Sequence, residues 1–194
     1  MFNPATSYDF FHFDVLFAKK DMDKVLLVIA PQVFRDEELF ETREELEKAG
    51  FETVIASTAK GTCTGKLGGQ AEAVISIEEV SPSDYQALIF VGGTGSQVYF
   101  EHTGAHNLAW EMFADGKIVS AICAAPVILA KAGLLKDKKA TVYPDHEYTL
   151  KQYGAIYTGE AVTVDGNIIT GNGPESSRAF GQAVAQCIRQ GVMS

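Results

Sequence analysis

Three unbroken apolar runs constrain this fold most: "KVLLVIA" (24–30), "QALIFVGG" (86–93) and "KIVSAI" (117–122). A strand with one wet face alternates apolar and polar residues, so a strand apolar at every position must be covered on both faces. Helical segments lie between the runs. "RDEELFETREELEKAG" (35–50) puts Leu39, Phe40 and Leu46 on an amphipathic helix that stops at Gly50. Further helices are expected over 103–114, from Cys123 to about Gly133, over 145–153 and from about Glu175 to Arg189. "FETVIAS" (51–57) and "KATVYP" (139–144) read as strands, "AVISIEEV" (73–80) as a short edge strand, and "GTCTGKLGG" (61–69) as a loop. "AVTVDGNIIT" (161–170) reads as a hairpin that turns at Asp165-Gly166. Alternation of this kind predicts an α/β fold: a three-layer sandwich with a mainly parallel sheet and helices on both faces.

Most of the chain, residues 23–194, is expected to form this domain, with residues 1–22 as an N-terminal extension. The extension is aromatic but lacks a basic start and an unbroken apolar stretch, so it does not read as a signal peptide. Packing on the body or a partner chain, or a loose tail, both suit it. The formal charge of −9 disfavours nucleic acid and anionic membrane surfaces as partners. No apolar run approaches the roughly 20 residues of a membrane span. Three cysteines without CxxC spacing fit a reducing cytoplasm, and with four scattered histidines they show no metal spacing. No cofactor is expected. "GTCTGK" lacks the spacing of a phosphate loop, and Gly93-x-Gly95 lacks the third glycine of a dinucleotide fingerprint.

In such sheets ligands bind beyond the carboxyl ends of the strands, where Gly92-Gly93, Cys123 and Tyr143 converge. Cys123 lies where an apolar strand runs into a helix, with Ala121 and Ala125 two residues to either side. A nucleophile elbow needs small residues at those positions. A reactive thiol there and a merely buried one both remain open. The amides of Gly93 and Ala124 are candidates for an oxyanion hole over Cys123, although a strand-terminating turn would use the same glycines. At the start of the first helix, Asp36, Glu37 and Glu38 suit the helix dipole, and one of them can instead point into the crevice. Cys187 reads as core and Cys63 as an exposed loop residue.

Six segments together carry a family resemblance: "VLLVIAPQVFRDEEL", "TGKLGG", "ALIFVGGTGS", "AICAAPVILAKAGLL", "ATVYP" and "VDGNIITGNGPESS". Over about residues 23–190 the chain resembles the ThiJ/PfpI superfamily, which contains the parkinsonism-associated deglycase and PfpI-type intracellular proteases. The resemblance implies a flavodoxin-like, class I glutamine amidotransferase-like fold. It places Cys123 on the elbow cysteine, Glu38 on the acid that hydrogen-bonds the sulfur, and Gly93 and Ala124 on the oxyanion pocket. It also implies a homodimer formed near the first helix. Two departures stand out. The protease-like histidine after the cysteine is Ala124 here, and the deglycase-like histidine before a proline is Tyr143. Tyr143 either donates a hydrogen bond to substrate or plugs the pocket. His146, three residues beyond Tyr143, is a substrate-binding candidate if it swings in, and otherwise reads as a solvated helix residue.

Three functions are therefore expected in turn. The first is glyoxalase- or deglycase-like chemistry on a small-molecule carbonyl substrate in stress protection. The second is a cysteine-oxidation sensor or chaperone. The third is a peptidase- or amidase-type hydrolase, disfavoured by the missing base.

Overall fold

The computed structural model of the chain describes residues 24–191, so the expected extension 1–22 lies outside the described residues. Strand β1 (Lys24–Val28) leads through the short β2 (Gln32–Phe34) into helix α1 (Asp36–Lys48) and strand β3 (Glu52–Ser57). Three short strands follow: β4 (Gly61–Gly65), β5 (Gln70–Ala73) and β6 (Ile75–Ser76). Strand β7 (Ala87–Phe90), helix α2 (Thr103–Ala114), strand β8 (Ile118–Ile122) and helix α3 (Pro126–Lys131) form the middle of the chain. After these come β9 (Lys139–Ala140), α4 (Glu147–Gln152), β10 (Ile156–Tyr157), β11 (Val162–Asp165), β12 (Ile168–Gly171) and α5 (Ser177–Gln190).

Among the described residues the main sheet has seven strands in the order β11-β12-β8-β7-β1-β3-β6. Only the β11–β12 hairpin is antiparallel, turning where Asp165-Gly166 predicted. The apolar runs are unbroken because alternate residues face opposite helical layers. Leu26, Val28, Leu88 and Phe90 pack with Met112 of α2 and Ile128 of α3. Val25, Leu27, Ile29 and Ile89 pack with Leu39 and Leu46 of α1 and Phe180 and Val184 of α5. The three-layer expectation holds. Among the described residues no helix is long and apolar enough to cross a membrane.

Several local expectations need correction. The segment 61–69 is not simply loop: β4 pairs antiparallel with β5, and β2 adds in parallel to make a small second sheet. Alternation within β4 turns Cys63 inward opposite Ala71, so Cys63 is buried rather than exposed. Cys187 is only half-buried, on the flank of α5. Phe40 is exposed and meets Phe34 edge-on, with ring centroids 6.2 Å apart. The strand expected over 139–144 keeps regular pairing only at Lys139–Ala140. Two of its amides are taken instead by side chains, that of Lys139 by Asp165 (2.8 Å) and that of Thr141 by the Thr170 hydroxyl (2.9 Å).

Asp36 explains how the hairpin reaches the crevice. Its two carboxylate oxygens accept the amides of Leu67 and Gly69, each at 2.7 Å. A Cβ at Gly65 or Gly69 would collide with that carboxyl, so the glycines of "TGKLGG" let the hairpin tip close over it. Charge-assisted bonds of this type contribute about 1.5–3 kcal/mol each. Asp36→Ala is expected to lower unfolding free energy by about 2–4 kcal/mol. Amide exchange at Leu67 and Gly69 should accelerate more than in β1, and unchanged protection of these two amides would refute the anchor.

Candidate active site

Parallel register builds the site. Phe90 of β7 pairs with Ala121 of β8, so Gly92 and Cys123 emerge side by side, each two residues beyond that pair. Cys123 has φ +63°, a left-handed conformation that a non-glycine residue adopts only when its surroundings enforce it. Three backbone bonds enforce it here. Cys123 N–H donates to Gly171 O (2.9 Å), Tyr143 N–H donates to Cys123 O (2.9 Å), and Ala125 N–H donates to Ile122 O (3.1 Å). The helix expected from Cys123 therefore starts only at Pro126, after a tight turn. The elbow is the turn itself.

The acidic cluster at the start of α1 divides into three tasks. Asp36 holds the hairpin, Glu37 pairs with Arg35, and Glu38 points into the protein beneath Cys123. Glu38 is fully buried, and its Oε2 accepts the Gly92 amide at 2.9 Å. A Cβ at Gly92 would stand 2.6 Å from that oxygen and 2.7 Å from the Cys123 Cβ, so only glycine fits between acid and thiol. Gly93, at φ +92°, is as tightly enclosed: a Cβ there would lie 2.5 Å from Val33 O and 2.6 Å from Arg35 N. Val33, itself at φ +56°, and Arg35, whose amide donates to Gly92 O (3.1 Å), form a strap across this turn.

Glu38 Oε1 has no hydrogen-bond partner among the described residues. Against the larger effect of burial, the neighbouring Cys123 acts on this carboxyl by lowering its pKa. Burial raises the Glu38 pKa to about 7, against the lowering effect of Cys123, the Gly92 amide and Arg35. Burial also pushes the Cys123 thiol up to about 12, reinforced by the Glu38 charge and opposed by the amides of Gly93 and Ala124. The pair therefore behaves as one buried acid that loses its first proton near neutrality and holds the second tightly. The second proton stays on the sulfur, so Cys123 is a thiol near neutrality, and it faces two amides. Among the described residues neither amide donates to another backbone carbonyl.

Cys123, Gly93, Ala124, Tyr143 and His146 line one crevice of about 470 Å³, together with Arg35, Lys66 and Glu175. Cys123 itself is 8% exposed. Tyr143, 41% exposed, sits at the rim against Gly173. His146 is half-buried at the end of the 3-10 turn Pro144–His146, with its ring edge-on to Phe100. Sequence reasoning missed Arg35 and Lys66 as crevice residues; their charge next to "DEEL" and within "TGKLGG" was the available signal. Among the described residues no three His, Cys, Asp or Glu side chains converge as metal ligands. A similar-sized depression between α1 and α5, lined by Glu45, Lys48 and Arg189, holds no nucleophile.

The buried acid makes stability depend on pH. The Glu38 pKa lies near 7 in the folded chain against 4.5 for an ordinary glutamate carboxyl, so folding favours its protonated form. That contribution is complete below about 4.5 and is lost as pH rises through about 7. Such a shift corresponds to roughly 3 kcal/mol for a buried group. Glu38→Gln is expected to remove most of the fall in stability across this window, read from denaturant midpoints at several pH values. An unchanged pH profile would place the acid elsewhere.

Known proteins resemble this chain over most of its length. The chain is 48% identical over 170 residues to MJ0967 of Methanocaldococcus jannaschii, covering 86% of this chain and 83% of that one. It is 34% identical over 157 residues to the deglycase PH1704 of Pyrococcus horikoshii, covering 81% and 94%. The solved ThiJ/PfpI domain protein from Brachyspira murdochii superposes with a TM-score of 0.86 at 35% identity, covering 88% of this chain and 98% of that one. The family model for DJ-1/PfpI matches residues 23–187, and the chain belongs to the DJ-1/PfpI family.

Proposed function

We propose that this protein is a cofactor-independent glyoxalase- or deglycase-like enzyme acting on small reactive carbonyls. The observation that carries this reading is the fully buried Glu38, with a pKa near 7, packed through Gly92 against the elbow thiol. The relatives named deglycases, at 30–34% identity, support it. In the reaction with methylglyoxal, the Cys123 sulfur bonds to the aldehyde carbon while the carbonyl oxygen gathers charge facing the Gly93 and Ala124 amides. Glu38 takes the thiol proton as the sulfur attacks and passes it to that oxygen, giving a neutral hemithioacetal and leaving Glu38 as carboxylate. Glu38 then removes the proton from the former aldehyde carbon and returns it to the neighbouring carbon, while the hydroxyl proton passes from the first oxygen to the second. The result is a lactoyl thioester, and one water molecule hydrolyses it to lactate and regenerates the thiol. A base with a pKa near 7 suits this transfer at neutral pH. No histidine is required.

The same reading includes stress protection in the cytoplasm and a homodimer. Val33, Phe40 and Leu67 are exposed apolar residues around the start of α1, where a second copy would cover them. A second reading, oxidation of Cys123 to a sulfinate held by the same amides, draws support from Ala124 and Tyr143 standing where catalytic histidines would be. A peptidase role has less support, because Ala124 supplies no base and the His146 ring is engaged with Phe100.

Lactate formation from methylglyoxal discriminates between them. Cys123→Ser and Glu38→Gln are each expected to lower kcat by at least about a hundredfold, the usual scale for losing a nucleophile or a general base. Wild-type turnover no faster than the buffer blank would overturn the enzymatic reading in favour of oxidation.

A further inference from the structure

The crevice above Cys123 is polarised. Its lining joins Arg35 and Lys66, from adjoining segments at the start of α1 and the hairpin tip, with Asp145, His146 and Glu175 from the segments after β9 and β12. The cationic pair is held in place. Lys66 N–H donates to Phe34 O (2.8 Å), so Lys66 is anchored beside the residue that precedes Arg35. Asp36 fixes the same hairpin tip through Leu67 and Gly69. Arg35 is fixed twice, by its backbone bond to Gly92 and by a two-pronged pair with Glu37, Nε to Oε2 at 2.8 Å and Nη2 to Oε1 at 3.0 Å. This leaves Nη1 without an acceptor among the described residues.

Glu37 neutralises part of the Arg35 charge but occupies only one edge of the guanidinium. A planar fork with one edge satisfied still presents donors along the other, the geometry that suits a carboxylate. Glu38 and Cys123 both contribute to raising the Arg35 pKa, behind the larger effect of its hydrogen bond to Glu37 and against burial, so the cation senses the reacting pair. Lys66 adds a point charge with no ion pair among the described residues. Asp145 and Glu175 would repel an anion and so orient it towards the strap.

We propose that Arg35 and Lys66 form an anion subsite, and that the carbonyl compound taken by Cys123 carries a carboxylate seated on them. The inference rests on Cys123 being the nucleophile of the crevice.

Alkylation of Cys123 tests the subsite without requiring turnover. Iodoacetate and iodoacetamide both react by attack of the thiolate on the methylene carbon with loss of iodide, and differ in the charge they bring. Both use the same thiolate, so the ratio of their rates at Cys123, followed by peptide mass mapping, is insensitive to how much thiolate is present. Arg35→Gln and Lys66→Gln are each expected to lower the iodoacetate-to-iodoacetamide ratio by about fivefold, the scale of one unit charge near a protein surface. Arg35→Lys should retain most of it. A ratio unchanged in both glutamine variants would overturn the subsite, as would failure of either reagent to label Cys123.

A second arm compares phenylglyoxal with para-carboxyphenylglyoxal. A higher kcat/KM for the carboxylated substrate, lost in Arg35→Gln, supports the proposal; equal kcat/KM values for both overturn it. If neither is turned over while the alkylation ratio still falls in the variants, the glyoxalase reading fails and the anion subsite stands.

Discussion

A carboxyl group with no exposure to water, hydrogen-bonded to the amide of Gly92 and pressed against a thiol, organises this molecule. Burying a lone carboxylate is costly, and chains normally avoid it by exposure or by pairing with a cation. Here Glu38 meets the cost by holding its proton to near neutrality. Gly92 must lack a side chain for the two groups to approach, and the Cys123 backbone must adopt its left-handed turn for the sulfur to reach over the strand end. The hydrogen bonds to Cys123 from Tyr143 and to Gly171 hold that turn, so the ends of β8 and β12 and the segment after β9 all contribute to one geometry.

The start of α1 links this centre to the rest of the crevice. Consecutive residues along Arg35-Asp36-Glu37-Glu38 point to different places because a helix turns by about 100° per residue. Glu38 reaches the thiol, Asp36 clamps the hairpin tip, and Glu37 steadies Arg35. One helical turn thus positions the buried carboxyl, the hairpin tip and the Arg35 cation around one crevice. Rigid placement of this kind is what a reacting group needs, since small displacements are costly in rate.

Much of the architecture was legible in the residues themselves. Continuous apolar runs, helices between them and an Asp-Gly turn lead directly to a parallel sheet covered on both faces and closed by a hairpin. Cys123 between two alanines marks the elbow, and the acidic triplet marks a helix start. Less legible were the features whose cause lies outside the local pattern. Residues 61–65 look like loop because glycine and threonine are weak signals, yet pairing with β5 makes them a strand and buries Cys63. His146 looks solvated along its own helix, and Phe100 from another segment claims its ring.

The sequence by itself determined the layered α/β architecture, the family, and the identity of the thiol at the strand-to-helix turn. These follow from the period of apolar residues and from the small neighbours an elbow requires, which are properties of nearby positions. Local pattern left open which of three adjacent acids turns inward, and only the family resemblance pointed to Glu38; tertiary structure decided how far its pKa rises and that Arg35 and Lys66 line the same space. Glu38 and Gly92 are 54 residues apart, and their contact exists only because β1 lies beside β7 in the sheet. Desolvation and proximity set proton affinity, and both depend on what packs around a group rather than on its neighbours along the chain.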